Sequence, residues 1–203
     1  MEYLVTMTTL VPDGVSEQEI DEVRARESAH THDLAREGRV LRLWRPPLGP
    51  GEWRTLGLFT AVDLDDLEKV LASMPLRVWR TDEVTPLAPH PNDPGRKAVT
   101  VDLASTEFLT TFVVDMPSGT DARSVEEATV REAERTAQLA AEGHLIRLWR
   151  LPGDGRNVGN WQAADGQQMR DILASLPMAA WLDVDTLALT RHPSDPALAS
   201  MTD

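Results

Sequence analysis

Two glutamates stand where a polar side chain is least expected. Across residues 17–37 the apolar residues Ile20, Val23 and Leu34 recur at helical spacing, and at about 100° per residue Glu27 falls inside their stripe with Thr31 beside it. Residues 122–142 repeat the geometry with Val125, Ala128, Glu132, Thr136 and Leu139. A carboxylate turned away from water must be hydrogen-bonded, ion-paired, neutral, or lining a cavity, because an unpaired buried charge is costly. Desolvation raises its pKa towards neutrality, as a general base working near pH 7 requires. The pattern therefore points to proton transfer, with Glu27 and Glu132 as the catalytic candidates. Arg24, three positions before Glu27, is the cation beside it on the helix, and His30 is placed to shuttle a proton. The competing reading is a structural ion pair of Glu27 with Arg24 or with an arginine of the strand that follows. Thr129 replaces Arg24 in the second segment, and Arg135 replaces His30. If only one segment is active, the first has the cation beside its acid.

Candidate binding residues follow each helix. The string RLWR occurs at 42–45 and 147–150, and strand alternation sets Arg42 and Trp44 on one face, Leu43 and Arg45 on the other. Arg147, Trp149 and Arg150 repeat the arrangement, and Trp79 and Trp181 recur further on. A tryptophan floor with an arginine donor suits a planar anionic ligand; the same residues equally suit a core rim and a salt bridge. His90 and His192 lie in HP-x-DP, which reads as a proline-bounded turn with a capping aspartate. His30 and His32 are not spaced to share a metal on one helix face, and the absence of cysteine removes thiolate ligands and thiol nucleophiles. GxGxxG, Walker, GxSxG and HExxH motifs are missing as well, so neither metal nor cofactor is expected.

These residues come in duplicate because the chain does. EG-x-x-x-RLWR at 37–45 returns at 142–150, LAS-x-P at 71–75 returns at 173–177, and HP-x-DP at 90–94 returns at 192–196. The division expected is one repeat over 1–95, a linker over 96–105 and a second repeat over 106–203. In each repeat a β-rich opening (YLVTMTTL, EFLTTFVVD) leads through Pro and Gly into the glutamate helix. Gly38 and Gly143 close that helix where a left-handed cap favours glycine. The RLWR strand, a glycine-containing turn and a third strand follow. Asp63 and Asp165 then cap a second helix, which Pro75 and Pro177 end. A last strand is expected to run through Trp79 or Trp181. The order β-α-β-β-α-β is ferredoxin-like. Its helices cover one sheet face only, so the expected class is α+β, with two antiparallel sheets packed face to face as an intrachain barrel.

Composition narrows the partners. Lys+Arg total 20 against 33 Asp+Glu, a formal charge of −13 over 203 residues. Such a surface repels phosphate backbones, so nucleic acid is not expected. No apolar run reaches a membrane span, and the opening MEYLVTMTTLVPDG has neither a basic lead nor a long apolar core. The expectation is a cytoplasmic protein acting on a small molecule, with a homo-oligomer open.

The helix glutamate followed by L-x-x-EG, the RLWR strand, a helix ending in L-x-x-LP and the closing RHPSDP together resemble the muconolactone delta-isomerase family. The resemblance covers nearly all of both repeats. It is strongest in VRARESAHTHDLAREGRVLRLWR of the first and LASLPMAAWLDVDTLALTRHPSDP of the second. It implies a ferredoxin-like fold and a cofactor-free proton shift that moves a double bond of an unsaturated lactone. Glu27 and Glu132 match the family's helix carboxylate, and Arg24 its basic residue three positions earlier. Two other readings stay open: a biosynthetic cyclase steering its substrate by the shape of the same cavity, and a ligand-binding barrel without catalysis.

Overall fold

The computed structural model describes residues 1–199, and the chain divides into two compact units. The first comprises residues 1–87 together with the described residues from 190 to 199; the second comprises residues 88–189. The first runs β1 (Glu2–Thr9), α1 (Glu17–Arg36), β2 (Val40–Arg45), β3 (Arg54–Thr60), α2 (Leu64–Ser73) and β4 (Arg80–Pro89). Its strands lie in the antiparallel order β4-β1-β3-β2, the ferredoxin-like sheet. The second runs β5 (Thr106–Val114), α3 (Ala122–Ala141), β6 (Leu145–Arg150), β7 (Arg156–Ala163), α4 (Gly166–Ala174) and β8 (Leu182–Arg191), in the order β8-β5-β7-β6. A short α5 (Pro196–Ala199) follows. The expected α+β class and element order hold in both repeats.

The units are the repeats with their ends exchanged. Ala88 and Pro89, at the end of β4, pair with Arg150 and Trp149 of β6 in the second unit. Thr190 and Arg191, at the end of β8, pair with Arg45 and Trp44 of β2 in the first. Each HP-x-DP motif is thereby delivered to the sheet of the other repeat. The 96–105 segment is fastened to β7: the Gln162 side chain donates to the Thr100 carbonyl at 2.9 Å and accepts from the Asp102 amide at 2.8 Å.

Local chemistry sets the boundaries. Ser16 and Asp121 cap α1 and α3 by accepting from Glu19 N and Ser124 N, and Asp63 and Asp165 cap α2 and α4. Gly38 and Gly143 take the left-handed conformation, with φ of 72° and 86°, where the glutamate helices end. Alternation along β1 buries Tyr3, Val5, Met7 and Thr9, and the apolar members pack against Leu34, Phe59, Leu67 and Leu71. Gly57 and Gly159 leave room for neighbouring side chains. A Cβ would strike the Phe59 ring and the Met7 methyl at the first, and the Trp161 indole at the second.

The expectation that Trp79 and Trp181 lie in the last strands needs correction. Both end 3₁₀ turns, Pro75–Trp79 and Ala179–Trp181, and the strands begin one residue later. In the first repeat Pro75 opens the turn, a position where its missing N–H costs nothing. The Trp carbonyls accept from Leu10 N and Asp115 N, each at 2.8 Å, and tie the turns to the ends of β1 and β5. Among the described residues no helix is long and apolar enough to cross a membrane.

Candidate active site

Each unit has a cavity between its glutamate helix and the helix-facing side of its own sheet. The first measures about 690 Å³ and is lined by Glu27, Thr31, Arg24, Arg45, Trp53 and Arg80, with Met7, Leu43 and Met74 continuing into the core. His192, Pro193 and Ser194 of the exchanged end close one side. The second measures about 280 Å³ and is lined by Glu132, Thr136, Thr129 and Arg150 among Phe112, Leu148, Trp161, Leu176, Met178 and Leu182, with His90 and Asn92 from the other exchanged end.

Helical periodicity aims both acids inward. The Glu27 side chain is 12% exposed; its Oε2 accepts from the Leu76 amide at 2.8 Å, and its Oε1 faces Arg80 Nη1 at 3.2 Å. Burial raises its pKa above the ordinary carboxylate value, while the Leu76 amide and Arg80 pull the other way. Arg80, 2% exposed, is itself held by Asp82, with Nε 2.6 Å from Oδ1, and Arg77 pairs with the same carboxylate. Glu27 is thus ion-paired, but to Arg80 rather than to Arg24 or an RLWR arginine. Arg24 lies over the Trp53 ring at 4.4 Å, is about half exposed, and pairs with Asp21.

Glu132 keeps only half of this environment. Its Oε2 accepts from the Met178 amide at 2.9 Å, the equivalent of the Leu76 contact. Burial raises its pKa, opposed only by that amide, and among the described residues no cation pairs with it. Leu182 and Val184 occupy the places of Arg80 and Asp82, and Thr129 and Gly155 those of Arg24 and Trp53. Loss of the arginine and loss of its aromatic platform go together.

The remaining candidates fall into two groups. Arg45 and Arg150 line the cavities. Arg42, Trp44, Arg147 and Trp149 do not, because alternation sets them on the opposite face from Leu43 and Leu148. Arg42 forks onto Asp195 (Nε–Oδ1 3.1 Å, Nη2–Oδ2 2.9 Å) while stacking on Trp44 at 4.9 Å, and the same Asp195 accepts from the Leu43 amide. Arg147 does likewise with Asp93 and Trp149. These arginines fasten the exchanged ends. Trp79 and Trp181 are likewise absent from the linings. His30 bonds to Ser73 Oγ at 2.8 Å outside the cavity, and Arg135, its counterpart, bonds to Ser175 Oγ at 3.0 Å. That position ties the two helices of each repeat together.

Arg80 and Trp53 are not among the residues expected from the sequence, and the HP-x-DP histidines, expected only as part of a turn, also line the cavities. His192 Nδ1 accepts from the Ser194 amide at 3.1 Å, and His90 Nδ1 from the Asn92 amide at 3.1 Å. An accepting Nδ1 leaves the proton of a neutral ring on Nε2. Burial and the Arg45 charge push the His192 pKa down to about 4, and burial with Arg150 lowers that of His90, so both rings are neutral donors near pH 7. The signal was present in the sequence: the motif survives intact in both repeats while the helix cation does not.

Comparison with known proteins agrees with this duplicated layout. The family model for muconolactone delta-isomerase matches residues 1–93 and again 106–195. The muconolactone delta-isomerase of Cupriavidus pinatubonensis is 34% identical over 92 residues, 45% of this chain and 97% of that protein. An Acinetobacter lwoffii enzyme of the same name is 32% identical, over 45% of this chain and 93% of its own length. Across the whole chain the fold is shared with chlorite dismutase from Candidatus Nitrospira defluvii, at TM-score 0.61 and 11% identity, covering 100% of this chain and 95% of that one. With the family's domain matched twice, the chain belongs to the muconolactone delta-isomerase family and is an isomerase of that family.

Proposed function

We propose that the first repeat's cavity carries out a cofactor-free proton shift on a small unsaturated lactone bearing an anionic group, with Glu27 as both base and acid. A lactone carbonyl makes the hydrogen on its α- or γ-carbon removable. Glu27 takes that hydrogen as a proton, and the C–H electron pair passes through the ring to the carbonyl oxygen, giving a dienolate. The same carboxyl returns the proton to another ring carbon; the carbonyl re-forms and the double bond has moved. Nothing is oxidised or reduced, and no atom is gained or lost.

The cavity supports each role. Burial strengthens Glu27 as a base, while the Leu76 amide and Arg80 hold its carboxylate in place between transfers. Arg45 and the Nε2–H of His192 line the same space and are the donors for the developing oxyanion. Arg24, stacked on Trp53, would hold an anionic substituent. The carrying observation is a carboxylate withdrawn from water in a roomy, arginine-lined cavity.

Positioned acid–base catalysis is worth about 10²–10⁴ in rate. In the full chain, Glu27→Gln should lower kcat for a carboxylate-bearing unsaturated γ-lactone by that factor with KM little changed, followed by ultraviolet absorbance. A shape-steered cyclase would keep its turnover in the carboxamide variant, and a binding barrel would convert nothing.

A further inference from the structure

The second cavity is not a copy of the first. The first is lined by six carboxylate or guanidinium side chains, namely Arg24, Glu27, Arg45, Glu52, Arg54 and Arg80. The second keeps two, Glu132 and Arg150. Where Arg80 reaches Glu27, Leu182 presents a hydrocarbon wall to Glu132, and Thr129 adds a hydroxyl where Arg24 brings a charge. Phe112 and Trp161, in edge-to-face contact at 6.2 Å between ring centres, replace Met7 and Phe59 on the sheet side. The aromatic wall is held in register because the Trp161 indole donates to Thr110 Oγ1 at 2.8 Å. The changes all act in one direction: they remove cationic charge and add apolar surface.

We infer that the second cavity is a separate binding site for an uncharged, flat cyclic compound carrying a carbonyl or lactone group. Its ring lies against Phe112, Trp161 and Leu182, and its oxygen takes the Nε2–H of His90. The Glu132 carboxyl is the second polar handle. With one oxygen on the Met178 amide and, among the described residues, no cation paired with it, it gains a proton more readily than an ordinary glutamate and then donates to the ligand. An anionic ligand would meet Glu132 with only Arg150 to offset it, and so is disfavoured here but welcome in the first cavity. A space of about 280 Å³ suits one small fused-ring molecule. This assignment does not depend on catalysis at Glu27.

The test is calorimetric titration of the full chain with coumarin, an uncharged bicyclic lactone, and with coumarin-3-carboxylate. Coumarin is expected to bind at one site per chain and to stay bound when a carboxylate-bearing γ-lactone saturates the first cavity. Leu182→Arg, which sets a guanidinium beside Glu132 as Arg80 stands beside Glu27, should weaken coumarin at least tenfold. Thr129 is exposed, so Thr129→Arg is a safe second variant for folding; it should raise affinity for coumarin-3-carboxylate relative to coumarin several-fold. The inference is overturned if coumarin does not bind, if the anionic lactone displaces it, or if both variants bind the two probes as the parent chain does. Activity at Glu27 is indifferent to each of these outcomes, so the two proposals fail separately.

Discussion

Glu27 and Glu132 occupy equivalent places on equivalent helices, and each accepts one backbone amide from the turn below it. Around Glu27 a buried arginine and its buried aspartate form a network with a second, partly exposed arginine; around Glu132 the same positions hold Leu182, Val184 and Ala179. The fold tolerates both. A ferredoxin-like unit needs the helix stripe, the capped turn and the locked end of the other repeat, but not the charge network beside the acid. Duplication therefore leaves one cavity free to lose its cations while the architecture stays fixed. What both repeats keep, the glutamate, the histidine and the Arg–Asp lock, is either structural or common to both sites. What one has lost marks where the sites differ.

The largest effect expected from breaking this comparison lies in the locks. Asp195 is fully buried and holds Arg42 and the Leu43 amide; Asp93 does the same for Arg147 but is 11% exposed. Removing one member of a buried pair costs about 3–5 kcal/mol, so Asp195→Ala should lower stability by that amount in urea denaturation. Asp93→Ala should cost less, because water already reaches the Asp93 carboxylate and can take its place beside Arg147.

A smaller effect of opposite sign is expected at Glu132. Its pKa is raised in the folded state, so folding binds a proton more readily than the unfolded chain does. The stability linked to that proton is fully present below the unfolded value and is lost as pH rises through the folded one. Glu132→Gln keeps the acceptor for Met178 and removes the uncompensated charge. It should raise stability by on the order of 1 kcal/mol at pH 8, with the gain fading towards pH 4, read from melting curves across that range. Glu27→Gln should show no such gain, because it strips Arg80 of a partner.

The smallest effect sharpens the comparison at the first cavity's half-exposed side. Arg24→Thr introduces the residue of the second repeat and forfeits the stacking on Trp53, worth roughly 0.5–1 kcal/mol at an exposed site. KM for an anionic lactone should rise several-fold, with kcat nearly unchanged in steady-state kinetics.

Some of this was legible in the residues and some was not, for definite reasons. Helical period alone turned Glu27 and Glu132 inward, and the duplicated motifs gave the element order. Alternation along β2 paired Arg42 with Trp44 and Leu43 with Arg45, but it does not say which face meets the helix, so Arg42 and Arg147 entered as binding residues when they are locks. Arg80 lies 53 positions from Glu27 and meets it only because the 3₁₀ turn folds the start of β4 against α1. The role of HP-x-DP depends on exchanged strand ends, a long-range pairing that no local pattern encodes. His30 looked like a proton carrier by proximity, whereas its bond to Ser73, repeated by Arg135 and Ser175, is a tie between helices.

The most direct measurement is kcat of the full-length Glu27→Gln and Glu132→Gln proteins on one carboxylate-bearing unsaturated γ-lactone. Glu27→Gln should fall at least about 100-fold, the lower bound for a lost acid–base group, with Glu132→Gln staying within about twofold of the parent. Parent-like turnover in Glu27→Gln, or an equal fall in both, would contradict the account.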